Sequence, residues 1–300
     1  MTTLGTSVLL IFAAMAAAFP WFVRLSFRAP RIREQSSPEQ YGLAYREVTI
    51  PTENGKRLFA WFVPSPTAGR APTVAVVHGW GGNAEMMLPL AQPLHRAGYA
   101  VLLFDSRNHG RSDSDGFSSL PRFAEDLGRA LDWLALQPDV DAVRVAALGH
   151  SVGAAAALLV ASRRRDLAAV ASIAAFADPE SMMRRVLAAH HIPYFPFGRL
   201  VLRYVQRAIG HRFSDIAPCN TIRQVRCPVL LLHGSDDATV PVEDAMAIYD
   251  RRPSDQVRLL ILAGDHGSSH EAQRHAGELI DFLDQAVGRK SADQSKLSAT

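Results

Sequence analysis

Residues 144–164 read RVAALGHSVGAAAALLVASRR. A short apolar run predicts a buried strand, and the alanine-rich run after it predicts a helix. The pentapeptide GHSVG, residues 149–153, therefore stands on a strand-to-helix turn. A serine between two glycines at such a junction has two readings. One is an ordinary tight turn, where glycine and serine are common. The other is a hydroxyl nucleophile held in a sparsely allowed backbone conformation, with glycines at 149 and 153 because side chains there would strike the adjoining strand and helix.

Working outward, YREVTI and KRLFAWFV alternate as strands, and the ENGK between them holds the Asn-Gly pair favoured in a two-residue hairpin turn. TVAVVHG, AVLLFD, RVAALG, AVASIAA, PVLLLHG and VRLLILAG follow as short continuous apolar runs. Such runs suit strands covered on both faces, as a parallel sheet requires. Helical periodicity returns over 85–97, 122–137, 151–163, 241–251 and 270–287. The pattern predicts an α/β fold: a doubly wound, mostly parallel sheet of about eight strands with an antiparallel edge. Some fifty residues separate AVASIAA from PVLLLHG, far more than a usual connection, and predict an inserted helical lid over about 177–218.

Composition narrows the function classes. The chain has 300 residues with 32 basic and 29 acidic side chains, a net charge of +3, and its basic residues are scattered rather than striped. That argues against nucleic acid as a partner. Two cysteines, Cys219 and Cys227, form neither a disulfide framework nor a C-x-x-C metal motif. The histidines are too dispersed for zinc-type spacing, and Gly79, Gly81 and Gly82 lack the G-K-S/T of a phosphate loop, so no metal and no cofactor is expected.

A serine hydroxyl needs a base to take its proton, and the base needs a partner to fix its tautomer. In this topology both should follow the serine, each on a loop beyond a strand, in the order acid then histidine. PVLLLHG leads into SDDATVP, and VRLLILAG leads into DHGSSH, so both places are filled. His266 falls two residues into its loop. His270 falls where SSHEAQRHAGELIDFL already has helical periodicity, with Ser269 as an N-cap, which favours His266 as the base.

The ordered motifs HGWGG (78–82), FDSRNHGRS (104–112), GHSVG (149–153), HGSDDATVP (233–241) and AGDHG (263–267) make the chain from Tyr45 to Val287 resemble the α/β-hydrolase superfamily, in particular its serine esterase, lysophospholipase-like and serine aminopeptidase-like members. The resemblance implies Ser151 as nucleophile, Asp237 as acid with Asp236 as its rival, and His266 as base. It also implies an oxyanion hole made by the backbone N–H groups of Trp80 and Val152. His78, His109, His150 and His233 become loop-orienting groups, and Asn108 departs from the glycine of many relatives. The activity implied is cofactor-free cleavage of carboxylic esters, including lipid-like acyl esters or thioesters, through an acyl-enzyme. A serine aminopeptidase-like amidase, an acyltransferase, and a binding protein that has lost catalysis are the alternatives.

The ends of the chain add expectations of location. LGTSVLLIFAAMAAAFPWFV, residues 4–23, carries no charge and as a helix would span roughly 30 Å. With Arg24, Arg28, Arg31 and Arg33 after it and none before, it predicts a single-pass anchor over 1–23 with the catalytic domain in the cytoplasm. A cleaved secretory signal is the alternative. A polar linker over 24–40, the domain over 41–288 and a polar tail over 289–300 complete the expected organisation. In the lid, Arg199, Arg203 and Arg207 recur every four residues opposite Leu202, Val205 and Ile209. This predicts a solvated basic face over an apolar packed one, with contact to anionic headgroups or an acidic substrate as the other reading. Oligomeric state has no signature here.

Overall fold

In the strand Arg57–Val63, Ala60 and Phe62 enter one core cluster while Phe59, Trp61 and Val63 enter another, as the two-residue repeat of a strand covered on both sides demands. The computed structural model describes Ala14, residues 17–267 and residues 276–288. Its strands are β1 (Arg46–Pro51), β2 (Arg57–Val63), β3 (Ala71–Val77), β4 (Ala100–Phe104), β5 (Val140–His150), β6 (Ala169–Ile173), β7 (Val229–Gly234) and β8 (Val257–Leu262). They form one eight-stranded sheet in the order β1-β2-β4-β3-β5-β6-β7-β8. Only the β1–β2 and β2–β4 pairs are antiparallel.

The helices are α1 (17–26), α2 (Leu88–Arg96), α3 (Leu120–Ala135), α4 (Val152–Arg163), α5 (Pro179–Ala189), α6 (Arg199–Ile209), α7 (Phe213–Ile216), α8 (Pro218–Thr221), α9 (Val242–Tyr249) and α10 (Ala276–Ala286). Helices α3 and α4 supply much of one core through Leu127, Leu131, Leu158 and Leu159. Helices α2 and α10 supply the other through Leu88, Leu94, Leu279 and Phe282. The sheet is thus a middle layer. The β1–β2 connection is longer than a two-residue turn: Pro51 pairs with Arg57, and Thr52 N–H donates to the Lys56 carbonyl at 2.8 Å. Asn54 and Gly55 do take positive φ (59° and 65°), but Thr52 is drawn inward to the buried Asp126 at 2.7 Å, which lengthens the loop.

Between β6 and β7 the chain leaves the sheet for α5 to α8. The apolar face of α6 packs on α5 and Phe213 in a small cluster of its own, centred on Leu187, Leu202 and Phe213. Arg199, Arg203 and Arg207 face out, exposed. Arg185 of α5 pairs with Asp244 of α9 at 2.6 Å, and Asp244 also accepts the Ala177 N–H, which fixes this excursion at its base.

The expected single-pass membrane location is corrected. Among the described residues no helix is long and apolar enough to cross a membrane. Most of 4–23 lies outside the described residues, as do His270 and the tail 289–300. The end of the apolar run belongs to α1 and packs on the domain: Val23 is 4% exposed, the Phe19 ring meets Tyr204 edge-on at 5.5 Å, and the Tyr204 hydroxyl donates to the Pro20 carbonyl. Side chains committed to protein packing are not in hydrocarbon.

The following residues cross the domain surface as a strap. Asn83 donates to the Ile32 carbonyl, Arg31 donates to the Asn108 carbonyl and to Ser114, and Gln35 N–H donates to Glu85 at 2.7 Å. Both Glu34 carboxyl oxygens are shut from water and meet no donor among the described residues. They face Asp105, itself fully buried and accepting N–H bonds from Ala84 and Arg111. Burial first, and Glu34 second, push the Asp105 carboxyl up to about 8.

The buried charge of the fold is concentrated on Arg107, 2% exposed, in the loop after β4. Its guanidinium contacts Asp126 at 2.7 Å, Asp115 at 2.9 Å and Glu125 at 2.5 Å, tying this loop to α3. Asn108 beside it takes φ 71° and accepts the Asp115 N–H at 2.7 Å, so asparagine fills a glycine-type position through its own amide.

Two stability predictions follow from these charges. Arg107→Leu leaves Asp126 buried without its partner and should cost about 3–5 kcal/mol in urea unfolding. Arg46→Ala, which removes the exposed pair with Asp139, should stay within about 1 kcal/mol. The Asp105 proton gives the second. A carboxyl raised above its unfolded value stabilises the fold fully below the unfolded pKa, and that contribution is lost as pH rises towards about 8. Between pH 6.5 and 9 wild-type stability should fall by about 1–2 kcal/mol. Glu34→Gln, which removes the second cause but not burial, should show a visibly smaller fall in melts over that range.

Candidate active site

The sheet order places the crevice. β3 connects outward to β4 on one side while β5 continues on the other, so the loops after β3 and β5 open side by side at the switch point. Ser151 lies between β5 and α4 with φ 54° and ψ −118°, and its N–H donates to the Ile173 carbonyl at 2.8 Å. A Cβ on Gly149 would stand 2.3 Å from the Gly153 carbonyl oxygen, and one on Gly153 would stand 2.4 Å from the His78 carbonyl oxygen. Backbone meets backbone on both sides, so the turn closes only around glycine.

The loops after β7 and β8 bring the other groups. Asp237 is buried; its Oδ1 accepts the N–H groups of Thr239 (2.9 Å) and Val240 (2.7 Å), and its Oδ2 lies 2.7 Å from His266 Nδ1. His266 Nε2 lies 3.1 Å from Ser151 Oγ. With a carboxylate on one side, Nδ1 carries the hydrogen and Nε2 presents its lone pair to the serine hydroxyl. Asp236 is exposed, takes a hydroxyl bond from Ser235, and has no such contact with His266.

The other motif histidines act on backbone. His150 Nε2 donates to the His266 carbonyl at 2.8 Å, and burial, with His266 next, holds its pKa down to about 4. It is therefore neutral and fixes the peptide that carries His266. His78 Nε2 accepts the Ser106 N–H at 3.1 Å, so its Nδ1–H donates to the Gly79 carbonyl at 2.7 Å. Burial and then His109 push His78 down to about 3. His109 bonds the Arg107 carbonyl, and His233 the Val240 carbonyl at 2.7 Å beneath Asp237.

Those bonds orient the Trp80 N–H. The Gly79 carbonyl is held by His78 and by the Gly82 N–H at 3.1 Å, and in a trans peptide the following N–H points the opposite way. A Cβ on Gly79 would lie 3.2 Å from the Ser151 Cβ, so this peptide runs directly beside the serine. Val152 opens α4, and its N–H has no intrahelical acceptor. The helix end adds partial positive charge at the same place.

Ser151 and His266 sit in the wall of a cavity of about 940 Å³. Most of its lining is apolar, including Met182, Phe117, Leu232 and the inward face of α6. The carboxylates among its lining residues are Glu85 and Asp265, and these are engaged with the Gln35 and Gly267 N–H groups. Among the described residues no three histidine, cysteine or carboxylate side chains are grouped as a metal site. Sequence reasoning did not find Val23 and Phe27, which also line the cavity. No local signal marks them, since the segment that carries them is held at the cavity through the Pro20 carbonyl, bonded to Tyr204 184 residues along the chain.

Comparison with known proteins agrees with this architecture. The profile of the serine aminopeptidase S33 family matches residues 69–213. An uncharacterized protein of Mycobacterium tuberculosis is 35% identical over 198 residues, which span 66% of this chain and 64% of that protein, somewhat under two thirds of its length. YfhR of Salmonella typhimurium is 26% identical over 250 residues, 81% of this chain and 82% of its own. The esterase Pf2001 of Pyrococcus furiosus superposes with a TM-score of 0.71 at 22% identity, covering 87% of this chain and 99% of that one. The fold is that of the α/β-hydrolase superfamily, as the motif order implied.

A steric prediction belongs to the turn. Gly153→Ala should lower stability by about 1–3 kcal/mol, as overpacking against fixed backbone does, and should reduce reactivity at Ser151. Gly128→Ala on α3, whose added Cβ meets nothing within 4 Å, should do neither. Thermal melts beside probe labelling distinguish the two.

Proposed function

We propose that this chain is a serine hydrolase that cleaves carboxylic esters of apolar acyl groups through an acyl-enzyme. The observation that carries the reading is the continuous relay Ser151 Oγ–His266 Nε2 (3.1 Å) and His266 Nδ1–Asp237 Oδ2 (2.7 Å). In this mechanism Ser151 Oγ attacks the ester carbonyl carbon while its proton passes to His266 Nε2. Asp237 holds the ring and offsets the charge that forms on it. The carbonyl oxygen gains negative charge and is stabilised by the N–H groups of Trp80 and Val152. His266 returns the proton to the departing alcohol, leaving Ser151 acylated. Water then attacks the acyl carbon, its proton goes to His266, and the carboxylic acid leaves with Ser151 restored.

An aminopeptidase must hold a substrate ammonium, for which a free carboxylate in the pocket is the natural partner. Glu85 and Asp265 each accept a backbone N–H through one oxygen and lie among a lining that is otherwise mostly apolar, and it is this apolar lining that favours an apolar acyl group. This supports esters over aminoacyl amides, although the matching family profile bears the aminopeptidase name.

A fluorophosphonate probe should label the protein at Ser151, and Ser151→Ala should abolish the label. His266→Ala and Asp237→Asn should each lower kcat on p-nitrophenyl butyrate by about 10³-fold or more, whereas Asp236→Asn should change it by about threefold or less. A folded wild-type protein that resists the probe, or an Asp236 effect larger than that of Asp237, would overturn the reading.

A further inference from the structure

The N-terminal segment lines the cavity that holds Ser151. Val23 and Phe27 project from and just beyond α1 into the wall of the cavity that holds Ser151. Val23 is 4% exposed although α1 lies on the outside of the sheet and its neighbours Trp21 and Phe22 are 68% and 62% exposed. One helix face is therefore committed to the cavity and the other is not.

The segment is fastened at both ends of that wall. At one end Phe19 and the Pro20 carbonyl engage Tyr204 of α6, which itself lines the cavity. At the other, Pro30 presses on the loop that carries Trp80: a Cβ on Gly81 would stand 2.8 Å from the Pro30 ring. Gly81 takes φ 71°, so both its backbone and the ring above it require glycine. Asn83 holds the Ile32 carbonyl and Glu85 holds the Gln35 N–H just beyond. The segment is thus clamped between the lid helix and the Trp80 loop, and all three line the cavity.

We infer that Val23 and Phe27 of the N-terminal segment form part of the acyl-binding site, as specificity-determining residues for medium and long apolar acyl chains. The inference rests on the ester hydrolase reading above and extends it to the substrate. An acyl chain leaving the carbonyl carbon at Ser151 runs along the methionine- and leucine-lined cavity until it meets Val23 and Phe27. Burying a methylene contributes about 0.8 kcal/mol, so kcat/KM should rise by up to about fourfold per added methylene while the chain still fits.

The test uses the full chain and p-nitrophenyl esters from acetate to dodecanoate, with the ratio of kcat/KM for decanoate to that for acetate as readout. Val23→Trp fills the wall and should lower this ratio at least tenfold. Phe27→Ala widens it and should move the preferred ester to a longer chain. Trp21→Ala, on the outward face, should leave the ratio as in the wild type. If Val23→Trp does not fold, the Phe27→Ala shift alone decides. Should neither variant move the ratio more than Trp21→Ala does, in proteins that label at Ser151 and cleave acetate, the wall assignment is overturned and the hydrolase reading stands. Should the wild type neither label nor cleave any ester of the series, the hydrolase reading itself fails and the inference falls with it.

Discussion

The contact between Gly153 and the backbone at His78 is the constraint from which the site is built. A Cβ at 153 would stand 2.4 Å from the His78 carbonyl oxygen and 2.6 Å from that of Val77, so the first turn of α4 lies directly on the end of β3. Ser151 holds φ 54° at this approach, and a methyl group added at 153 would push the first turn of α4 away from the end of β3. The strain of about 1–3 kcal/mol in such a conformation persists because β5 and α4 over-determine the turn.

Around this turn His78, His109 and His150 serve as neutral connectors. His78, His109 and His150 are pushed to pKa values of about 3, 4 and 4, with burial as the first cause in each. A neutral imidazole has one donor and one acceptor, so it can bind two backbone groups without bringing a charge into the core. His78 does this between Ser106 and Gly79, and His150 holds the peptide of His266 itself. Charge is handled elsewhere, on Arg107 and its three carboxylates, which fasten the loop after β4 at a distance from the serine.

The N-terminal residues change the picture of what the domain is. Residues 24–35 carry four arginines, yet they cross the surface with hydrogen bonds to Asn108, Asn83 and Glu85 and a buried carboxyl contact to Asp105. Of the described residues before them, Phe19 and Pro20 meet Tyr204 of α6. Length and hydropathy alone cannot separate an apolar run that meets lipid from one that meets protein, since both environments favour the same side chains.

By itself the sequence determined the order of strands and helices, because each β-strand must alternate or stay continuously apolar according to how it is covered. It also determined the strand-to-helix turn, because only glycine fits at 149 and 153. From the order of its motifs it named Ser151, Asp237, His266, Trp80 and Val152, and the structure brings the first three within hydrogen-bond reach of one another. Only the tertiary structure decided between Asp236 and Asp237 as the neighbour of His266, since adjacent carboxylates are chemically identical until the backbone turns one inward. It alone showed that His150 grips the His266 loop, that Thr52 lengthens the first hairpin, and that Val23 and Phe27 enter the cavity. Each of these depends on contacts between segments far apart along the chain, and no local period or propensity encodes which distant surface a side chain will meet.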